Sequence, residues 1–156
     1  MISSWLRALV VNIAMFIRLL KNTDYNQWLP LWQDNCLNQV PQNVTEETWR
    51  RICDPKENVF GLGVFEEENL IGILHYILHP TTGQLAPVCY MQDLYIRQDH
   101  RRKGHARALV TALQEEGTKA GWARIYWLAE KSNPAAQNLY KNLGIPVDFS
   151  LHILPL

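Results

Sequence analysis

The segment from Asp93 to Arg107 constrains this chain most, because an apolar, strand-like run passes there through a short basic loop into a helical pattern. The loop holds one glycine, Gly104, and the apolar residues that follow it recur at helical spacing. The first turn of a helix leaves backbone N–H groups without partners and carries partial positive charge, so such a segment can hold phosphate groups. Five of the fifteen Lys and Arg residues lie between Arg97 and Arg107, which indicates a local anion site.

The composition is that of an ordinary globular protein. With 156 residues, 47% of them hydrophobic and 19% charged, the chain is long enough to form one domain with a core. The formal net charge is zero, so we expect no partner that is a nucleic acid. The cysteines at 36, 53 and 89 form no Cys-x-x-Cys pair, which predicts neither disulfides nor a metal site and favours a reducing, cytoplasmic location.

The N-terminal residues are apolar but interrupted by charges. The longest uncharged run, 8–17, is about half the length that spans a bilayer, so no membrane partner is predicted. No small-residue cleavage site follows it, which argues against a signal peptide. We expect an N-terminal extension over 1–14 and a single domain over 15–156.

Hydrophobic periodicity and turn signals predict six strands and four helices. Pro30 lies inside the first helical pattern and suggests a kink or a later start. Helices are expected at 25–36, 46–53, 105–119 and 134–143, and strands at 16–20, 59–65, 70–78, 87–96, 124–129 and 149–154. The order β-α-α-β-β-β-α-β-α-β predicts an α+β fold, in which one mixed β-sheet carries helices on both faces.

Three segments carry a resemblance to a known family. The pattern Arg-x-x-Gly-x-Ala at 101–106 resembles the acetyl-coenzyme A signature of the Gcn5-related N-acetyltransferase (GNAT) superfamily. The run 90–96 is similar to the fourth strand of its diamine-acetyltransferase-like branch, and 133–144 is similar to its second motif, Asn-x-x-Ala-x-x-x-Tyr followed by Gly. The resemblance covers about residues 16–154 and implies a GNAT-like fold. It also implies transfer of an acetyl group from acetyl-coenzyme A to a primary amine.

The resemblance further implies which residues hold acetyl-coenzyme A. Gly104 would let the backbone approach the diphosphate closely, and the small Ala106 would allow the same at the helix start. Basic side chains of the loop would supply positive charge to the diphosphate and to the 3′-phosphate. The alternative is that the basic loop is only a solvent-exposed helix start that holds no ligand. The implied cofactor contacts are Leu94, Tyr95, Ile96, Arg101, Arg102, Lys103, Gly104, His105, Ala106, Asn133, Ala136 and Tyr140.

For the reaction, the resemblance implies direct attack by the amine in a ternary complex. Tyr140 is the predicted general acid for the departing thiolate, and a free backbone N–H near Leu94 is the predicted oxyanion donor, provided that the strand carries a bulge. The base stays open, because the polyamine-acetylating branch has Glu where this chain has Gln92, which accepts no proton. Asp93, reached through water, and His75 are the candidates.

The acceptor is expected to enter from the side of the first helices. Trp28 and Trp32 are candidates for an aromatic wall, and Asp34 and His75 for contacts with a cationic amine. We therefore predict a small-molecule amine, or an amino-acid or peptide substrate, together with a homodimer. A coenzyme-A-binding sensor without catalysis is the alternative that Gln92 favours, and a nucleic-acid or membrane binder is a third, disfavoured by the zero net charge.

Overall fold

A five-stranded mixed sheet organises the computed structural model, which describes residues 14–156. Strands β1 to β4 pair antiparallel in sequential order, and β5 runs parallel to β4. The strands are β1 Met15–Leu19, β2 Val59–Glu66, β3 Asn69–Thr81, β4 Gln84–Ile96 and β5 Ile125–Tyr126. The predicted α+β fold on one mixed sheet is confirmed.

Four helices accompany the sheet. They are α1 Tyr25–Asn35, α2 Gln42–Cys53, α3 His105–Ala120 and α4 Pro134–Tyr140, and 3₁₀ turns lie at Asn22–Asp24 and Gln98–His100. The chain divides into two compact units at Tyr126. The described part of the first unit, 14–126, holds the whole sheet and α1 to α3, and the second unit, 127–156, holds α4.

In the first unit, α1 and α2 cover one face of the sheet. Trp28 of α1 and Ile52 of α2 belong to one buried apolar cluster, together with Phe65 of β2 and Ile73 of β3. Successive residues of a strand point to opposite faces of the sheet, whereas residues paired across two strands point to the same face. Phe65 and Ile73 therefore lie on the same face, because Ile73 pairs with Gly63, two residues before Phe65. The burial of these aromatic and aliphatic side chains fixes α1 against the sheet.

The other face of the sheet is covered by α3. Leu109 and Leu113 of this helix are completely buried. Leu74 and Tyr76 of β3 alternate with the residues that face α1, and the Tyr76 ring lies 5.6 Å from the ring of Trp122, which follows α3. The central part of the sheet is therefore covered on both faces.

Three predicted elements differ clearly in the structure. Residues 149–154 form no strand, and within the described residues this segment has no pairing partner; Phe149 and Ile153 are 86% and 77% exposed. An alternating apolar pattern forms a strand only where a neighbouring strand offers its hydrogen bonds, and the predicted strand at 124–129 shortens to the two residues of β5. Helix α2 begins at Gln42, after Pro41, four residues before the predicted start.

The predicted N-terminal extension lies outside the described residues, apart from Ala14, whose carbonyl accepts a hydrogen bond of 3.0 Å from the Glu67 N–H. In the described part of the chain, no helix has both the length and the apolar character needed to cross a membrane.

An ion pair ties β1 to the start of α1. Arg18 donates two hydrogen bonds to the Asp24 carboxylate, at 2.7 and 2.9 Å, and the Lys21 N–H donates a third at 2.7 Å. The Arg18 bonds hold the pKa of Asp24 below its ordinary value of 3.8. The carboxylate is 6% exposed, so this pair is shielded from solvent more than a surface ion pair.

We expect Asp24→Asn to lower the free energy of unfolding by about 1–3 kcal/mol at neutral pH, because it leaves Arg18 without its charged partner. Since the folded pKa lies below the unfolded value of 3.8, the contribution is complete above that value and is lost as pH falls through the lower, folded pKa. Urea unfolding at a series of pH values measures this. Asp54→Asn, which breaks an exposed pair with Arg50, is the control and should change stability by less than about 1 kcal/mol. Equal losses in the two variants would contradict the assignment.

Candidate active site

The loop between β4 and α3 has the backbone of an anion site. Arg102 and Gly104 both adopt left-handed conformations, with φ of 62° and 83°. Backbone N–H groups in such turns converge on one concavity that attracts anions. A residue with a side chain is strained at the Gly104 φ, so the glycine is needed there.

The N–H groups of this loop are free to bind a ligand. The Ala108 N–H is the first of the helix to find a backbone acceptor, the carbonyl of Gly104 at 3.0 Å. In the range that the structure describes, the N–H groups of 102–107 have no backbone or side-chain acceptor. Together with the partial positive charge of the α3 N-terminus, these N–H groups make a surface that can hold an anion such as a phosphate group.

The side chains of the loop differ in their roles. Arg102 and Lys103 are exposed, and each lacks an ion pair among residues 14–156. Arg101 donates a hydrogen bond of 2.8 Å to the carbonyl of Ile96, and its guanidinium lies 5.2 Å above the centre of the Tyr95 ring. The His105 side chain is buried, so only its backbone N–H is available to a ligand.

Strand β4 carries a bulge at the centre of the site. Its pairing with β3 shifts between His75, which faces Asp93, and Tyr76, which faces Met91. Gln92 is therefore the extra residue, and its side chain is exposed. The bulge turns Asp93 toward His75 and α1.

Beyond the bulge, one edge of β4 is open. Within the described residues β5 pairs only with Cys89 and Tyr90 of β4. The Arg97 N–H donates to the Ile71 carbonyl of β3 at 2.8 Å. This bond shows which backbone N–H groups of the segment point toward β3. Because N–H directions alternate along a strand, the Leu94 N–H points to the open edge. The bulge and the free N–H that the sequence led us to expect are both compatible with this register.

A chain of hydrogen bonds joins α1 to β3 and β4. Trp28 Nε1 donates to His75 Nε2 at 2.9 Å, and His75 Nδ1 lies 3.0 Å from Asp93 Oδ2. Asn35 Nδ2 donates to the other carboxylate oxygen of Asp93 at 3.2 Å. The indole can only donate, so His75 Nε2 accepts and the ring carries its proton on Nδ1, which it donates to Asp93.

This arrangement bears on the expectations for the substrate side. His75 is 3% exposed and both of its ring nitrogens have hydrogen-bond partners, so neither nitrogen is open to the surface. Trp28 is completely buried and Trp32 is 8% exposed; their rings stack 5.7 Å apart in the core. The predicted aromatic wall is therefore wrong. The Trp32 indole instead donates to Thr45 Oγ1 at 3.1 Å.

The open surface near Asp93 is a polar cleft of about 580 Å³. Tyr95 donates from its hydroxyl to Asp34 Oδ2 at 3.3 Å, and burial and this carboxylate raise the pKa of Tyr95. Most of this lining was not predictable from local sequence patterns, because its residues come from α1, the segment after it, β4 and the loop. The cleft is lined by Asp34, Asn35, Leu37, Asn38, Tyr95, Gln98 and Arg101.

The second unit contains the remaining predicted residues. Asn133 caps α4, with its Oδ1 accepting a hydrogen bond of 3.1 Å from the Ala136 N–H. Tyr140 lies at the end of this helix, 5.1 Å from the ring of Trp127, and burial raises the pKa of its phenol. Asn133, Ala136 and Tyr140 share one face of α4 by their spacing.

A family model described as the acetyltransferase (GNAT) family matches residues 18–145. The chain belongs to the GNAT family. It is 29% identical to a D-amino-acid N-acetyltransferase of Saccharomyces cerevisiae over 148 residues, which cover 92% of each protein. A shorter match of 58 residues, 37% of this chain and 25% of the relative, is 34% identical to an L-ornithine N5-acetyltransferase of Arabidopsis thaliana.

Solved structures of this GNAT fold are also similar. The aminoglycoside N-acetyltransferase AAC(6')-Iy, in complex with the bisubstrate analogue CoA-S-monomethyl-acetylneamine, matches with a TM-score of 0.79 and 18% identity. The match covers 92% of this chain and 98% of the other. This likeness supports the fold, and the family and the named relatives together identify this GNAT protein as an N-acetyltransferase.

We expect the His75 imidazole to be the Nδ1–H tautomer, because the Trp28 indole donates to Nε2. Nitrogen NMR shifts of the imidazole distinguish the tautomers. Trp28→Phe should cost about 1–3 kcal/mol of stability, since it leaves His75 Nε2 buried without a partner. Trp49→Phe is the matched control: this ring packs 4.7 Å from Trp28 but makes no hydrogen bond among the described residues. An Nε2–H tautomer in the wild type would contradict this hydrogen-bond chain.

Proposed function

We propose that this enzyme transfers the acetyl group of acetyl-coenzyme A to the primary amine of a small molecule, and that amino acids are the leading substrate class. The observation that carries the proposal is the bulged β4 followed by the loop with its free N–H groups at the start of α3. The relative that acetylates D-amino acids by its name supports the substrate class.

The loop would hold the diphosphate of the cofactor. The free N–H groups of 102–106 and the charges of Arg102 and Lys103 fit a group with several anionic oxygens. Asn133 and Ala136 are assigned to the cofactor through the family's second motif. The predicted diphosphate contact of the Arg101 side chain stays a proposal, because this side chain lies beside Tyr95.

The transfer forms one bond and breaks one. The nitrogen lone pair of the neutral amine attacks the thioester carbonyl carbon, a C–N bond forms, and the C–S bond breaks to release a thiolate. The amine loses one proton, and the thiolate gains one. We propose that Tyr140 donates the proton that the thiolate gains, because the raised pKa keeps this phenol protonated until the thiolate departs.

The charge that develops on the carbonyl oxygen needs a fixed donor. We assign this role to the Leu94 N–H, which points to the edge of β4 that β5 leaves open. A backbone donor on a strand is held in place before the reaction, so it stabilises the oxyanion without reorganisation.

We propose that Asp93 accepts the proton that the amine loses. Gln92 cannot accept a proton, and His75 is occupied, whereas the Asp93 carboxylate is 19% exposed. Two of its lone pairs take the His75 and Asn35 hydrogen bonds. A carboxylate has further lone pairs, so a water molecule could pass the amine proton to it.

The charges of the cleft suit an amino acid. Asp34 offers a carboxylate for an ammonium group, and Arg101, across the same cleft, offers a guanidinium for a carboxylate. A diamine has no carboxylate, so it would use only the contact with Asp34. Membership of the diamine-acetyltransferase-like branch, the homodimer and the cytoplasmic location stay predictions.

The test is release of free thiol from acetyl-coenzyme A across a panel of D- and L-amino acids, diamines and aminoglycosides. We expect release with amino acids and loss of it in Gly104→Val, because a β-branched residue is strained at a φ of 83°. Gly83→Val is the matched control, since this glycine also has open space around it but no positive φ. Binding of coenzyme A without thiol release for any amine would instead support the sensor, and absence of binding would contradict both.

For Tyr140→Phe we expect kcat to fall by about 10²–10⁴-fold with coenzyme A affinity nearly unchanged, because only the proton donor is removed. Steady-state kinetics and calorimetry measure the two effects. An unchanged kcat would remove Tyr140 from the reaction.

A further inference from the structure

A largely buried polar cluster lies at the two ends of the basic loop and takes no part in the proposed reaction. Glu66 at the end of β2 lies between two histidines, with Oε2 at 3.1 Å from His100 Nδ1 and Oε1 at 3.1 Å from His105 Nε2. His100 ends the 3₁₀ turn before the loop, and His105 is the first residue of α3 after it. The His105 side chain is 7% exposed, so it is closed to a ligand at the loop surface and faces this cluster instead.

Both histidine nitrogens that face Glu66 lack a hydrogen bond. Each is buried, and among residues 14–156 neither has a hydrogen-bond partner, the Glu66 carboxylate included. A buried polar atom that has lost its hydration without gaining a partner is costly, and such atoms are rare in folded proteins. A ligand that takes these nitrogens and the carboxylate together would satisfy all three groups.

The contacts of His105 indicate the charge of that ligand. Its Nδ1 lies 3.2 Å from the Met15 thioether, which only accepts, so the ring carries its proton on Nδ1 and a lone pair on Nε2. This lone pair lies 3.1 Å from a carboxylate oxygen, which also offers only lone pairs. Two such atoms repel each other unless a positive centre binds both. The ligand is therefore a cation.

We propose that Glu66, His100 and His105 bind one transition-metal ion, and that this ion is Zn²⁺. Their ligand atoms all lie within 4.8 Å of one another. In a tetrahedral zinc site with bonds of about 2.0–2.1 Å, the ligand atoms are about 3.3 Å apart, close to the two 3.1 Å distances from Glu66. Two imidazoles and one carboxylate suit zinc, whereas Mg²⁺ and Ca²⁺ require more oxygen ligands.

One contact of His100 competes with the ion. Arg97 Nη2 donates to His100 Nε2 at 2.6 Å, which leaves the proton of the neutral ring on Nδ1, the atom that faces Glu66. Metal binding requires this proton to move to Nε2 and the Arg97 contact to open. The Arg97 side chain is 42% exposed, and its Nε donates to Asp99 at 2.8 Å, so the guanidinium keeps a charged partner when it turns away from His100. The exchange loses one hydrogen bond and gains a metal–nitrogen bond.

The ion would join the two ends of the basic loop, because its two histidine ligands lie on either side of residues 101–104. An ion that binds the folded chain and not the unfolded one stabilises the fold, so Zn²⁺ should raise the Tm. The proposal does not depend on acetyl transfer and is tested with the metal alone.

Calorimetry of the tag-free chain with Zn²⁺ should give one ion per chain. Glu66→Gln should bind Zn²⁺ at least about tenfold more weakly and lose the rise in Tm, because it removes the anionic ligand. Glu67→Gln, which removes an exposed carboxylate from the adjacent position, is the matched control and should bind as the wild type does. Arg97→Ala should bind Zn²⁺ more tightly than the wild type, because it removes the contact that competes with the ion.

Nitrogen NMR of the imidazoles gives a signature of coordination itself. On addition of Zn²⁺, His105 should keep its proton on Nδ1 and shift at Nε2, and His100 should change from the Nδ1–H to the Nε2–H tautomer. The His75 shifts should stay the same, since both of its nitrogens have protein partners.

Four results would overturn the metal site. These are the lack of stoichiometric Zn²⁺ binding by the wild type, equal binding by Glu66→Gln, weaker binding by Arg97→Ala, and unchanged nitrogen shifts of His100 and His105 at saturating Zn²⁺. If Glu66→Gln fails to fold, His100→Phe keeps the ring and removes its nitrogens, and should weaken Zn²⁺ binding in the same way.

Discussion

The bulge at Gln92 is the constraint on which the rest of the site depends. One extra residue in β4 directs Asp93 toward α1, where it accepts hydrogen bonds from His75 and Asn35. The same strand then continues past the end of β5, so that the Leu94 N–H lies on an open edge. The bulge re-aims a side chain, and the open edge beyond β5 leaves a backbone donor without a partner in the ladder. The proposed reaction uses both this donor and the Asp93 carboxylate.

The buried polar groups around the bulge hold it in place. Trp28, His75 and Asp93 form a chain in which each donor has one acceptor, so the tautomer of the imidazole is determined by its neighbours. Such a network is costly to break, because a buried polar group without a partner loses its hydration without compensation. The bulge is thus supported by Trp28 and His75, which are both buried.

The sequence predicted the elements whose signals are local. Gly104 before a helical pattern indicated the loop, and its φ of 83° agrees with that interpretation. Asn133 before a proline indicated a helix cap, which forms. Signals that depend on partners failed: residues 149–154 alternate like a strand but are exposed, and α2 begins at Gln42 instead of at residue 46. Propensity cannot reveal which group a side chain will meet.

By itself, the sequence determined the order of the elements, the basic loop and the membership of a family, because these depend on spacing along the chain. Only the tertiary structure decided what each polar side chain does. Trp28 became a buried donor to His75, and Glu66, which looked like part of a polar turn, came to lie 3.1 Å from two histidines that are 34 and 39 residues away in the sequence. These assignments depend on which strands lie side by side, and the chemistry of a titratable group follows from its burial and its neighbours.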